Sequence, residues 1–296
     1  MLSAMNSNAS LRYSALDFPA SLISVHHRMM NDLYEHNRRA WNERARSGKR
    51  HTRSVLAKDL ANPLPILDPE GWLGGNVNGR RVLCLASGGG LQSALCAAAG
   101  AVVTVVDLSP EMLALDEQVA GTHGFDIKVV ETSMDDLSML PADSFEIVIQ
   151  PVSTCYVADI LKVYREVARV VVPGGLYISQ HKQPVSLQAG LVPSNRGYVL
   201  SEPYYRTGPL PPLVEGCLHR EPDNLEFLHR WEEILGGLCR SGFAIEDLVE
   251  PRHADPHAEP GSFAHRSVYV APYVKIKARR LNTSTSLPVT PKLWTP

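Results

Sequence analysis

From Arg80 onward the chain alternates between two rhythms of apolar and polar positions. Nearly continuous apolar runs at 81–86, 102–107, 126–131, 145–151 and 175–180 read as strands, and the stretches between them at 91–99, 109–122 and 157–171 are compatible with helices. Strands that are apolar on both faces belong to a parallel sheet covered by helices on either side. Further on, 224–240 predicts a helix, 243–249 a strand and 266–274 a final strand. The fold class that follows is α/β, a doubly wound, mostly parallel, seven-stranded sheet. Upstream, between 26 and 46, Met30, Leu33, Tyr34, Trp41 and Ala45 recur at helical spacing, which predicts an amphipathic helix ending near Ser47 and Gly48. A second short helix is expected over 52–60, and the Pro- and Gly-rich stretch 62–75 breaks helical order before the sheet begins.

These elements divide the chain. Residues 1–78 form a tail and a helical lid, 79–274 the main α/β domain with an insert at 183–224 after the fifth strand, and 275–296 a mobile tail. Residues 1–10 and 282–296 are rich in Ser, Asn, Thr and Pro without hydrophobic period, and are expected to be mobile.

Composition narrows the function classes. With 44% hydrophobic and 20% charged residues the chain is ordinary globular material rather than disordered or collagenous. Its apolar runs are far shorter than the roughly 20 residues of a membrane helix, and the polar start lacks a signal-peptide core, so a cytoplasmic protein without membrane contact is expected. Cys84, Cys96, Cys155, Cys217 and Cys239 are scattered with no C-x-x-C pair and read as reduced packing residues. The net charge of −2 gives no global field for nucleic acid. One local exception, 38–53, carries seven Lys or Arg against one Glu, and reads either as a solvated helix face or as a contact for an anionic substrate or RNA.

The strongest chemical signal lies where the first strand ends. Val82-Leu83-Cys84-Leu85-Ala86-Ser87-Gly88-Gly89-Gly90 runs from apolar strand into small residues, and a helix follows at once. Glycine allows positive φ and close approach of a ligand, at the strand ends where open α/β sheets bind nucleotides. The second strand ends in Asp107, whose carboxylate can accept both ribose hydroxyls. A dinucleotide enzyme would carry a third glycine where Ser93 stands, although small residues are tolerated there. Ser109 and Pro110 then supply a helix cap and first helical position.

From about residue 34 to 274 the order of motifs resembles the class I S-adenosylmethionine-dependent methyltransferases. The first motif of that family, V-L-D-L-G-x-G-x-G, is matched with two departures: Cys84 in place of the acid and Ala86 in place of the first glycine. The resemblance implies S-adenosyl-L-methionine as cofactor, Asp107 with Leu108 at its ribose, and Ala86, Ser87, Gly88 and Gly90 along its binding turn. In Thr132-Ser133-Met134-Asp135-Asp136-Leu137, Ser133 takes the place of the family's adenine-binding Asp, with Met134 against the ring. Simple core packing is the other reading of Met134. The segment from Glu166 to Gly175 matches the helix exit E-x-x-R-V-L-x-P-G-G.

Tyr34, Asn37, Arg38 and Trp41 share one helix face, and the start Y-x-x-N-R-x-x-W together with C-L-A-S-G-G-G resembles a bacterial subgroup of the family. Tyr34 and Trp41 are expected either to cover the cofactor, where a sulfonium gains about 0.5–2 kcal/mol from an aromatic face, or only to anchor the helix. Gln150, in Gln150-Pro151-Val152-Ser153, closes the fourth strand beside the transferred group. His181, Tyr204 and Tyr205 are the candidates for accepting the proton of a nucleophile, with His229 beside them, and 183–224 is the expected substrate cap. His253-Ala254-Asp255-Pro256-His257 lacks a scaffold and a fourth ligand, so no metal is expected.

The expected activity is methyl transfer by direct displacement to an O, N or C nucleophile of a small molecule, within the transferases of one-carbon groups. The alternatives are an enzyme that cyclises or cleaves S-adenosylmethionine itself and a non-catalytic module that binds it. No nucleic-acid partner is expected, since an N-P-P-Y type motif is missing after the fourth strand. A homodimer stays open.

Overall fold

The structure, a computed structural model, describes residues 20–52, 55–213 and 219–282, with side chains from residue 32 onward. Of the expected mobile stretches 1–10 and 282–296, residues 1–10 and 283–296 lie outside the described residues, as do the side chain of Met30 and Cys217.

In chain order the elements are α1 (Ala20–Arg46), α2 (Ala57–Ala61), α3 (Leu64–Leu67), β1 (Arg81–Leu85), α4 (Gln92–Ala98), β2 (Val102–Asp107), α5 (Pro110–His123), β3 (Ile127–Glu131), β4 (Phe145–Gln150), α6 (Ile160–Val170), β5 (Val171–Lys182), α7 (Pro184–Gln188), α8 (Gly237–Arg240), β6 (Phe243–Val249), α9 (Phe263–Arg266) and β7 (Tyr273–Arg280). The sheet order is β3-β2-β1-β4-β5-β7-β6. β1 to β5 pair in parallel, and β7 runs antiparallel between β5 and β6. The order reverses beside β1, and in such sheets that crevice is where ligands bind.

The two faces of β1, β2 and β4 pack into different cores, which is why these strands read as apolar runs, whereas the edge strands β3 and β6 are partly exposed. Leu83, Leu85, Val106, Val148 and Tyr177 meet Val163, Tyr164 and Val167 of α6 on one side. Val82, Cys84, Val103, Val105 and Ile147 meet Cys96 of α4 with Leu73 and Val77 on the other. Each fully buried Val or Leu contributes about 1.5–3 kcal/mol. Cys84, Cys96 and Cys155 are buried free thiols, as packing residues should be, whereas Cys239, expected to pack, is exposed. Ser109 caps α5 by accepting the Met112 amide at 3.1 Å, and Gly124 closes the helix in the left-handed region.

Several expectations are corrected. The helix expected over 224–240 begins only at a π-helical turn over Glu232–Gly236, which continues into α8. Upstream of it the backbone pairs sideways instead of along a helix: the Leu225 amide donates to Asn37 Oδ1 at 2.8 Å, and the Phe227 amide to the Cys155 carbonyl at 2.7 Å. The final strand is not 266–274 but Tyr273–Arg280, with the short α9 before it. Residues 275–280, expected in the tail, therefore form the inner part of the antiparallel strand. There Val274, Ile276 and Ala278 are fully buried, while Lys275 reaches Glu70 at 2.7 Å and Lys277 reaches Glu246 at 3.1 Å. The lid helix starts at Ala20 rather than 26, the helix expected over 52–60 is confined to α2, and a 3-10 turn, Thr154–Tyr156, precedes α6.

Within the basic stretch 38–53, Arg38, Arg39 and Arg46 are ion-paired on α1, whereas Arg44 is buried, Arg50 lines a cavity and Arg53 lies outside the described residues. Arg38 and Arg39 both bind Glu35, and Arg46 binds Glu111. Exposed pairs of this kind are worth about 0–1 kcal/mol each. No described helix is long and apolar enough to cross a membrane.

Candidate functional site

A cavity of about 740 Å³ opens at the C-terminal ends of β1, β2 and β4, and α1 forms its roof. Ala86, Ser87, Gly88 and Gly89 line its floor. Ala86 has φ +47, a left-handed conformation that costs a residue with a Cβ about 1–2 kcal/mol. That is the physical reason a glycine is the easier choice at this position. A Cβ on Gly88 would lie 2.8 Å from Met112 Cβ and 3.0 Å from Asp107 Cγ, and one on Gly89 would lie 2.9 Å from the His51 carbonyl oxygen. Gly90 instead faces Val119 and Leu115 and packs the turn onto α5 rather than lining the cavity.

Asp107, at the end of β2, accepts the Gly88 amide through Oδ2 and the Ser109 amide through Oδ1, each at 2.9 Å. Burial pushes its carboxyl above the ordinary carboxylate range, and these amides pull it back. Asp116, missed in the sequence, braces the same turn from α5. It accepts the Gly89 amide at 2.9 Å and the Ser93 hydroxyl, and burial pushes its carboxyl up to about 6. Ser93, where a dinucleotide enzyme would have glycine, is thus a partner of this brace. The Ser87 hydroxyl is buried with no hydrogen-bond partner among the described residues, its neighbouring thiol of Cys84 being a weak substitute.

The lid is tied to the third-motif segment through one carboxylate. Tyr34 donates to Asp135 Oδ2 and Ser133 donates to Asp135 Oδ1, each at 2.5 Å. Burial and the bond to Asp135 hold the Tyr34 phenol above its ordinary range. Leu108, Ser133 and Met134 line the cavity beside these groups. Gln150 lies just beneath the surface, where Nε2 donates to Ser153 at 2.9 Å and meets Met134 Sδ at 3.2 Å while Oε1 accepts the Tyr177 hydroxyl. It therefore positions lining residues without lining the cavity itself. Trp41 meets Tyr156 edge to face at 5.5 Å, and Asn37 donates to the Tyr156 carbonyl at 3.1 Å. Arg38, on the same turn, points to Glu35 and Glu131 instead.

The three proton-accepting candidates are not brought to the cavity. His181 is buried, its ring nitrogens each 2.8 Å from the hydroxyls of Thr154 and Ser179, and burial pushes it down to about 3. Tyr204 accepts the Trp231 amide at 3.2 Å within a small cluster formed by Leu187, Leu210 and Leu228. Tyr205 is 75% exposed, beneath Arg230. His229 is buried against the Thr154 carbonyl. The far wall is made instead by His51, Tyr156, Gln180, Lys182, Glu221 and Tyr273. Strand alternation is the signal that finds two of these: 180 and 182 share the face opposite to 181. Among the described residues no group of three or more His, Cys, Asp or Glu is placed to hold a metal ion.

The arrangement offers a carboxylate beside a side-chain-free backbone surface, an orphan buried hydroxyl and an aromatic roof, which fits an adenosine carrying a charged sulfur. Comparison with known proteins agrees. A family profile described as a methyltransferase domain matches residues 83–179. The chain is 33% identical over 236 residues to the Uncharacterized methyltransferase YbaJ of Bacillus subtilis, which covers 75% of this chain and 92% of that one. A ubiquinone biosynthesis O-methyltransferase of Xanthomonas oryzae is 37% identical over 106 residues, 34% of this chain and 43% of the relative. Among solved structures, an S-adenosylmethionine dependent methyltransferase from Mesorhizobium loti shares the fold with a TM-score of 0.59 at 24% identity, covering 75% of this chain and all of the other. The sheet order, the cavity and the relative matched over 92% of its length together place the chain in the class I S-adenosylmethionine-dependent methyltransferases, with S-adenosyl-L-methionine as its cofactor.

Proposed function

We propose that this chain transfers a methyl group from S-adenosylmethionine to a small molecule seated between the glycine turn and the far wall of the cavity. The observation that supports it most is the joint geometry of Asp107 and the turn at Gly88, facing a roofed space of about 740 Å³. That volume lies within the range of small-molecule sites, about 300–1,000 Å³. When bound, the cofactor supplies a methyl group already activated on its sulfonium. Asp107 holds the ribose hydroxyls, Ser133 and Met134 meet the adenine, and the Ser87 hydroxyl and the backbone of Gly88 and Gly89 serve the amino-acid arm. Tyr34 and Trp41 exclude water from above and offer aromatic faces to positive charge. The remaining task of the protein is alignment of a nucleophile in line with the methyl carbon. The cap of residues 183–224 contributes Glu221 to the wall, in keeping with a substrate-facing role.

Calorimetric titration with S-adenosylhomocysteine, followed by a screen of small metabolites with methyl-labelled S-adenosylmethionine, tests this reading. Saturable binding and label transfer to a small molecule are expected. Formation of methylthioadenosine from S-adenosylmethionine alone would move the assignment to an enzyme that consumes the cofactor as substrate. Binding with no transfer to any acceptor would leave a non-catalytic module.

A further inference from the structure

The far wall of the cavity is a connected set of ionisable groups drawn from distant parts of the chain, in which Lys182 and Glu226 are buried, Glu221 is half-buried and the His51 side chain is 46% exposed. Lys182, at the end of β5, donates to Glu221 Oε2 at 3.0 Å and to Glu226 Oε1 at 2.7 Å. Glu226, wholly buried, is also bound by Arg220 Nε at 2.9 Å, so its charge is balanced behind the wall. Glu221 Oε2 takes a second donor, the Tyr156 hydroxyl, at 2.7 Å, which leaves Oε1 facing His51 Nε2 at 3.7 Å. His51 follows α1 and is held with φ +73, an unusual conformation for a residue with a side chain. Strain of that kind is concentrated at functional sites. Its carbonyl sits against the glycine turn, so the same residue touches the expected cofactor floor and the Glu221 wall.

We propose that His51 is the general base that takes the proton of an acidic hydroxyl, phenolic or enolic, on the methyl acceptor, and that Glu221 is its positioning residue. This rests on the reading of the cavity as a methyl-transfer site. An attacking amine uses a neutral lone pair and sheds its proton afterwards, whereas a hydroxyl needs a base as it attacks. An imidazole is matched to a phenol, with a pKa of about 10, and not to an aliphatic alcohol near that of water, about 16. Trp41, Tyr156 and Tyr273 give the same space aromatic walls suited to a planar ring.

Burial lowers His51 from its ordinary value, Glu221 opposes this, and Arg50, Arg44 and Lys182 reinforce it, so the ring is neutral and ready to accept a proton at neutral pH. Lys182 and the Tyr156 hydroxyl overcome the effect of burial on Glu221 and keep it ionised. In the reaction the hydroxyl proton passes to the imidazole as oxygen forms its bond to the methyl carbon. The carbon–sulfur bond breaks with its electron pair left on sulfur, and the imidazolium formed beside Glu221 later returns its proton to solvent.

The test uses catechol and phenol as probe acceptors with S-adenosylmethionine, and His51→Gly, which suits φ +73 and opens room at the ring position. His51→Gly is expected to bind S-adenosylhomocysteine within about threefold of wild type, to lose about 10²-fold or more of probe methylation, and to regain part of it on addition of imidazole. Glu221→Gln is expected to move the acidic limb of the pH profile to lower pH. Undiminished methylation in His51→Gly overturns the proposal, as does a loss that imidazole does not restore. So does a wild-type chain that binds S-adenosylhomocysteine yet methylates neither probe. Failure of the wild type to bind S-adenosylhomocysteine sinks the underlying reading of the cavity, and this proposal with it.

Discussion

Asp107 and Gly88 are locked together: the Gly88 amide donates to Oδ2 at 2.9 Å, and a Cβ on Gly88 would stand 3.0 Å from the Asp107 Cγ. A carboxylate has about four lone-pair positions, and two are used by the amides of Gly88 and Ser109. The positions left over are those proposed to accept the ribose hydroxyls. Hydrogen bonds to a charged acceptor are worth about 1.5–3 kcal/mol each. Asp107→Asn preserves the shape and weakens that acceptor, so affinity for S-adenosylhomocysteine should fall by at least about tenfold, and Asp107→Ala should lower it by at least about 10²-fold. Titration calorimetry measures both, and unchanged binding in Asp107→Ala would dismiss the cofactor assignment.

Asp135 joins the lid to the floor by accepting from both Tyr34 and Ser133. Tyr34→Phe keeps the ring and deletes one charge-assisted bond, a loss of about 1.5–3 kcal/mol. The lid should open more often, with about tenfold weaker S-adenosylhomocysteine binding and faster amide exchange in α1. Exchange confined to its wild-type rate would mean that the aromatic packing alone holds the helix.

Asp116, which braces the glycine turn through Gly89 and Ser93, makes folding stability depend on pH. Its carboxyl titrates at about 6 in the folded chain, against an ordinary value of 3.8, because burial opposes its charge. The folded state therefore binds more protons than the unfolded one between these values, so stability from this group is full below pH 4 and is lost as pH rises through 6. The difference amounts to about 3 kcal/mol. Asp116→Asn carries no such dependence. Denaturant unfolding of both proteins from pH 4 to 7 should show the wild type losing stability relative to the variant as pH rises, and parallel curves would refute this.

What could be read along the chain was what repeats locally. The run from Val82 to Gly90 and the apolar strand ending at Asp107 carry strand, turn and carboxylate within one βαβ unit, so their pairing in space follows from the fold class. The stretch at 275–280 was hidden because Lys275, Lys277 and Arg279 resemble a charged tail, although Val274, Ile276 and Ala278 between them keep a strict period of two. The residues at 224–230 defeated helical periodicity because their backbone is bonded by Asn37 and Cys155, which are 188 and more than 60 positions away respectively. His51, Lys182 and Glu221 escaped for a similar reason. Each is an ordinary polar residue in its own neighbourhood, and only the closing of lid, strand end and insert makes a wall of them.

His181 shows the consequence of ignoring strand alternation, and it yields the sharpest separation of structure from chemistry. Gln180 and Lys182 face the cavity, while His181 turns to the opposite side of β5, toward Tyr164 at 6.3 Å. Both ring nitrogens are engaged by Thr154 and Ser179, so the side chain joins the turn before α6 to the strand. His181→Ala would leave two buried hydroxyls unpaired, at about 1–3 kcal/mol each, and would open a cavity besides. The expected outcome is a loss of roughly 3–5 kcal/mol in denaturant unfolding, with S-adenosylhomocysteine affinity of the folded fraction within about threefold. There is also a pH signature. Because burial holds the ring at about 3 instead of 6.5, the unfolded chain binds the extra proton first, and stability falls as pH drops below 6.5. His181→Ala should flatten that acid slope, and a variant of unchanged stability that had lost methyl transfer would restore His181 to the chemistry.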